Sequence, residues 1–160
     1  MKKNNIKYKN GDEYTGQIKN NKKHGYGIYS LHDGSQYKGQ FINNKANGKG
    51  TYIFYNQDKY TGEFKNDMFH GKGKYYYSNG DKFEGEFKNG KVSGKGKHFH
   101  KNGDKYIGDY KNDKRDGIGI LKWFKGGNYT GEFKNGKMSG KGKITYEDGK
   151  TAITIDGEPI

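Results

Sequence analysis

The sequence predicts an all-β repeat protein in which six tandem 23-residue β-hairpins stack into one elongated, twisted antiparallel sheet. Three observations predict it. Aromatic residues return every 23 positions, at Tyr14, Tyr37, Tyr60, Phe83, Tyr106 and Tyr129. Each is followed by a glycine two residues on and by a second large apolar residue two further on: Ile18, Phe41, Phe64, Phe87, Tyr110 and Phe133. A Gly-x-Gly pair closes every copy, from Gly25/Gly27 to Gly140/Gly142. A fixed period of this length marks a repeat architecture, in which one copy cannot bury its apolar face without neighbours.

Within a copy the period is two, which specifies strands. In Tyr60-Thr61-Gly62-Glu63-Phe64-Lys65 the rings and glycine share one face and the polar residues the other. Turn formers such as Asn89-Gly90 and Asn135-Gly136 divide each copy into two strands, and Asp33-Gly34, Asn79-Gly80, Asn102-Gly103 and Asp148-Gly149 join one copy to the next. Copies therefore start at residues 14, 37, 60, 83, 106 and 129 of a single array spanning 1–160. At the N-terminal end, residues 6–13 form a half-repeat cap, with Tyr8 in the place of Tyr77. At the C-terminal end, Thr151-Ala152-Ile153-Thr154-Ile155 alternates as a last strand in the cap 151–160, where Pro159 blunts the edge. About fourteen strands at ~4.8 Å spacing imply a ribbon on the order of 65 Å long.

A register follows if Phe64 is placed opposite Gly71, Gly62 opposite Gly73 and Tyr60 opposite Tyr75. Glu63, Glu86 and Glu132 then face Lys72, Lys95 and Lys141 as opposite-charge pairs. The core is expected to be thin and made of rings: Tyr14, Tyr37, Phe41, Tyr60, Phe64, Phe83, Phe87, Tyr106, Tyr110, Tyr129 and Phe133.

Composition narrows the function classes. Only 28% of residues are hydrophobic and the formal charge is +13, so the aromatic 16% must supply the core. Cysteine is absent, which removes disulfides and thiolate metal sites and fits a reducing, cytoplasmic setting. The basic start Met1-Lys2-Lys3 is followed by no apolar run, and no stretch approaches the ~20 apolar residues of a membrane span. Arg115 is the single arginine, which disfavours nucleic acid as a specifically read partner.

At this point the residues resemble the MORN (membrane occupation and recognition nexus) repeat family. Its pattern, Tyr-x-Gly-x-Trp/Phe followed by Asn-Gly-Lys-x-x-Gly-x-Gly, is matched by Phe83-Glu84-Gly85-Glu86-Phe87-Lys88-Asn89-Gly90-Lys91-Val92-Ser93-Gly94-Lys95-Gly96, and again from Tyr129 to Gly142. Local departures are Ile18 for the second aromatic, His98 for a tyrosine and Gln57 for the inter-copy glycine. The resemblance implies a grooved antiparallel sheet and roles in scaffolding, dimerisation and cytoskeletal, ciliary or membrane-associated assemblies. It also implies acidic-phospholipid binding and, in some members, regulation of a phosphatidylinositol phosphate kinase.

No catalytic residue is assigned. Glu63, Glu86, Asp109 and Glu132 occupy one repeated position, whereas an acid/base pair needs unlike environments. The Gly-x-Gly pairs lie on strands with no helix to complete a phosphate cradle. His98 and His100 share a strand face but no carboxylate or third histidine stands at ligand spacing, and His24, His32 and His70 are scattered, so neither metal nor cofactor is expected. The candidate partner or lipid surface is the apolar stripe Ile53, Tyr76 and Phe99, flanked by Lys49, Lys72, Lys74, Lys95 and Lys97. Expected partners are proteins, a second copy of the chain among them. The alternative is an anionic membrane surface.

Overall fold

The structure, a computed structural model, describes residues 4–160; the basic start Met1-Lys2-Lys3 lies outside them. Two-residue turns close the hairpins. Asn66 and Asp67 both take left-handed backbone angles, φ +50° and +67°, as do Asn20/Asn21, Asn43/Asn44 and Asn112/Asp113. Two successive positive φ values define the turn whose twist matches the flanking strands, and short Asn and Asp side chains tolerate them.

Among the described residues fifteen strands follow in sequence order in one antiparallel sheet. The chain divides into two compact units, residues up to Ser78 with Lys88–Gly90, and Asn79–Phe87 with Lys91–Ile160. The first unit contains β1 (Asn4–Lys7), β2 (Glu13–Lys19), β3 (Lys22–Ser30), β4 (Gln36–Ile42), β5 (Lys45–Ile53), β6 (Lys59–Lys65) and β7 (Met68–Tyr76). The second contains β8 (Lys82–Lys88, apart from Lys88 itself), β9 (Lys91–Phe99), β10 (Lys105–Lys111), β11 (Lys114–Lys122), β12 (Asn128–Lys134), β13 (Lys137–Thr145), β14 (Thr151–Ile155) and β15 (Glu158–Pro159). The strand β15 exceeds the sequence expectation: Pro159 does not end the sheet but faces Thr154 across a final short pairing.

The observed register corrects the expected one. Gly62 faces Gly73 and Tyr60 faces Tyr75, but the ladder then slips by two residues, so Phe64 faces Phe69 and Glu63 faces His70. Gly71, at φ +57°, makes the slip possible, since this left-handed bulge favours a residue without Cβ. The Glu63 carboxylate accepts the Lys72 N–H at 3.1 Å and so satisfies the donor the bulge leaves over. Gln17, Gln40 and Asp109 do the same for Tyr26, Lys49 and Ile118. The Phe-over-Gly and Glu-opposite-Lys pairings occur one hairpin earlier instead: Phe64 faces Gly48 and Glu63 faces Lys49. Likewise Glu132 faces Ser139 within its own hairpin, not Lys141.

One face of each unit is a zigzag of rings. In the first, Tyr37 meets Phe41 at 5.0 Å and Phe64 at 4.8 Å, edge to face. In the second, Tyr106 meets Tyr110 at 5.2 Å and Phe133 at 4.9 Å in the same way. Edge-to-face contact sets the positive ring edge on the negative ring face. Tyr14, Tyr37, Phe41, Tyr60, Phe64, Phe83, Phe87, Tyr106, Tyr110, Tyr129 and Phe133 are all buried. Tyrosine hydroxyls are used as well: Tyr37, Tyr60, Tyr106 and Tyr129 each donate to the carbonyl three residues on, at 2.9–3.0 Å.

A carboxylate clasp links several inter-repeat turns to the next, at Asp12, Asp58, Asp81 and Asp104. Asp58 accepts the Tyr75 hydroxyl at 2.8 Å and the Ser78 N–H at 2.7 Å. Asp12 does so with Tyr29 and His32, while Asp104 takes the Phe124 N–H. These carboxyls lie below the usual range. At Asp12 the Tyr29 hydroxyl and then His32 are responsible, and at Asp104 the Phe124 N–H. At Asp58 burial opposes ionisation and the Ser78 and Tyr75 bonds outweigh it. Burial in turn pushes Tyr60 and Tyr106 upward.

The signs give two limbs. A depressed carboxyl contributes stability present above its unfolded value, about pH 4, and lost as pH falls through the folded value. A raised phenol contributes stability present below about pH 10 and lost above it. Thermal midpoints measured across pH should therefore form a plateau falling at both ends, and Asp12→Asn with Asp58→Asn should flatten the acid limb alone. An unchanged acid limb in that variant would mean the clasps carry no titration-linked stability.

Candidate interaction surfaces

The polar face of the first unit holds a groove of about 630 Å³ where Lys38, Lys49 and Lys72 converge with Tyr26, Thr51, Thr61 and Glu63 over the backbone of Gly39, Gly50 and Gly62. Lys49 and Lys72 of the predicted surface thus share one concavity. Lys74 faces Thr61 across the ladder. In the second unit Lys95 pairs with Asp109 at 2.5 Å and Lys97 faces Ile107.

The apolar residues expected to flank these lysines are half-buried, not bare. Ile53 faces Gln36 on one side and Lys59 on the other. The Lys59 ammonium lies 4.6 Å from the centre of the Tyr76 ring. In the second unit Lys82 and Lys105 lie 5.6 and 6.0 Å from the Phe99 ring. Lysine ammonium groups lie over these rings, which is why alternation alone overstates the exposure of the stripe.

A second concavity lies on the ring-bearing face of the first unit. The position facing the second large apolar residue of the repeat is occupied by Lys23, Ala46, Phe69, Arg115 and Met138 in the hairpins whose register is described. Phe69 stacks on Tyr60 at 3.9 Å. Ala46 cannot do this for Tyr37, and a cavity of about 300 Å³ opens, lined by Tyr29, Tyr37, Phe41, Tyr52 and Phe64 with Lys23 and Asp67 as polar members. The Lys23 ammonium sits 3.5 Å from the Tyr29 ring centre, and burial lowers its pKa. The sequence signal was available as one small residue in a column of large ones.

Among the described residues one cluster has metal-ligand composition: Asp81, His98 and His100, with ligand atoms all within 4.8 Å of one another. This corrects the expectation that no carboxylate accompanies the two histidines. Asp81 is the clasp residue of its repeat, so the fold, not local spacing, delivers it. Its Oδ1 accepts the Lys101 N–H at 2.8 Å, and that bond, followed by His100, holds the carboxyl below the usual range. Burial depresses the His98 pKa. His32, by contrast, is exposed and pairs with Asp12.

The family model of the MORN repeat matches six consecutive segments, 14–36, 37–59, 60–82, 83–105, 106–128 and 129–151. The chain belongs to the MORN repeat family. No curated protein matches this MORN array in sequence. Among solved structures it is similar to the TCP domain of Drosophila melanogaster SAS-4 (dCPAP), solved in complex with a proline-rich motif of Ana2 (dSTIL), at 12% identity and a TM-score of 0.59 over 95% of this chain and 83% of that one. It is also similar to the TCP10 domain of Danio rerio CPAP, solved with a peptide of STIL, at 11% identity and a TM-score of 0.59 over 98% of this chain and 70% of that one. At these identities the likeness establishes a shared fold. Among the described residues no helix of the MORN array is long and apolar enough to cross a membrane.

Proposed function

We propose that this MORN array is a non-catalytic scaffold that binds an extended segment of a protein partner in a cytoskeletal assembly. The observation that carries the reading is the ring-lined cavity at Ala46. Aromatic-lined grooves suit a proline-rich segment, which arrives already extended and loses little entropy on docking. The peptide complexes of the two similar TCP domains support the same class of partner. The repeated carboxylates support a structural assignment over a catalytic one, since Glu63 and Asp109 are engaged by bulge N–H groups.

A second reading, an acidic phospholipid surface, is favoured by Lys38, Lys49 and Lys72 lining one groove. One experiment separates the two. The full chain is titrated into labelled proline-rich peptides and, in parallel, sedimented with acidic vesicles at low and physiological salt. Ala46→Met, which installs the residue the sixth repeat carries as Met138, should fill the cavity, leave the melting temperature unchanged or higher, and weaken peptide binding at least about tenfold. Peptide affinity unaffected by Ala46→Met would remove the cavity as the site. Vesicle pelleting that survives physiological salt, with no peptide binding, would transfer the function to the lysine groove.

A further inference from the structure

We infer that the junction of the third and fourth repeats binds one divalent transition-metal ion of the zinc type, through Asp81 of the third and His98 and His100 of the fourth. The geometry comes first. Asp81 Oδ2 lies 3.2 Å from His100 Nδ1 and 3.5 Å from His98 Nε2. A tetrahedral zinc ion with bonds of about 2.0–2.1 Å sets neighbouring donors about 3.3 Å apart, so the two carboxylate-to-imidazole edges already stand near that spacing, and the two imidazole nitrogens lie within 4.8 Å of each other. The two imidazole rings lie 4.1 Å apart, centre to centre. Side-chain exposures of 18–29% leave the cluster held by the sheet yet open to an entering ion.

The repeat supplies an independent observation. At the position of His98 the other repeats carry Tyr29, Tyr52, Tyr75, Leu121 and Ile144, and at that of His100 they carry Leu31, Phe54, Tyr77, Trp123 and Tyr146. Only in the fourth repeat are both apolar or aromatic side chains replaced by imidazole, and where Asp12 and Asp58 receive a tyrosine hydroxyl, Asp81 faces the two imidazoles. Packing alone does not ask for two metal-ligating side chains around one carboxylate. Two imidazoles and one carboxylate, with no thiolate, suit Zn²⁺ and its neighbours Co²⁺ and Ni²⁺ better than Ca²⁺ or Mg²⁺. Three protein donors leave a fourth position for water or a partner's side chain.

Binding requires one rearrangement. Arg115 Nη2 lies 3.0 Å from His100 Nε2, so the guanidinium donates there and the ring proton sits on Nδ1, facing Asp81. An ion taking Nδ1 sends that proton to Nε2 and moves the guanidinium off it.

The test uses the full chain without an affinity tag. Titration with Co²⁺ should give the intense visible absorption of a tetrahedral ion, saturating at about one equivalent and bleached by Zn²⁺. His98→Tyr, which restores the residue found in three other repeats, and Asp81→Asn should each weaken Zn²⁺ binding at least about tenfold, with circular dichroism unchanged. If His98→Tyr disturbs the fold, Asp81→Asn decides. No uptake at one equivalent, unchanged affinity in Asp81→Asn, or uptake abolished by His32→Ala instead would overturn the assignment.

Discussion

Alanine at Gly62 should cost on the order of 3 kcal/mol, enough to unfold the third hairpin under conditions where the native chain is intact. The reason is room, not backbone freedom. A Cβ built on Gly62 would lie 2.5 Å from the Tyr60 hydroxyl oxygen, 2.6 Å from the Cα of Gly73 and 2.7 Å from the Lys72 carbonyl. Two of those atoms are backbone of the paired strand and cannot turn aside. Gly73 is crowded in the same way by the Tyr60 ring, so the two facing glycines form the bed on which that ring lies. Gly34→Ala is the control. Nothing lies within 4 Å of its Cβ, and only its left-handed φ of +91° is strained, a cost of about 1–2 kcal/mol. Denaturant titration of both variants measures the difference, and equal losses would refute the packing argument.

Tyr60→Ala should destabilise by roughly 3–5 kcal/mol, because it removes a fully buried ring from contact with Phe64 and Phe69. Tyr60→Phe should cost only about 1 kcal/mol, the worth of the bond to the Glu63 carbonyl. The fourth repeat already carries Phe83 at the same place and buries it, so the ring alone is tolerated. Since each hairpin pairs with its neighbours, the damage should be local. Amide exchange should accelerate in β6 and β7 and change least in β12 and β13. Uniform acceleration in every strand would show that the array melts as a single cooperative block.

The fold class and its faces could be read from residues because period-two alternation and a 23-residue return are geometric consequences of strands and stacking. Gly62 facing Gly73 and Tyr60 facing Tyr75 followed from the same symmetry. The two-residue slip at Gly71 did not, since it depends on a positive φ that the letters Gly-Lys-Gly permit without requiring. Without that slip Glu63 would face Lys72 as a charge partner, whereas its carboxylate takes the Lys72 backbone N–H and its cross-strand lysine is Lys49. Asp81 is hidden for a related reason: its partners lie at the far end of the next hairpin, His98 near the end of β9 and His100 and Lys101 just beyond it. The hint lay in the column Asp12, Asp58, Asp81 and Asp104, spaced by the repeat length or twice it. Ala46 shows the opposite case, a hole announced by one small letter that no alternation rule flags.

The clasps also bear on how the chain is made. Asp58 waits for Ser78 and Tyr75, and Asp104 for Phe124, so every tie joins a turn to one that emerges later, within roughly one repeat. Strand pairs obey the same locality, each joining neighbours in the chain. Folding therefore closes only short loops, the condition under which β-structure escapes its usual slowness. As synthesis proceeds from the N-terminus, each finished hairpin offers the incoming one a pairing edge, so nascent chains can add structure one repeat at a time, like a zip that follows the ribosome.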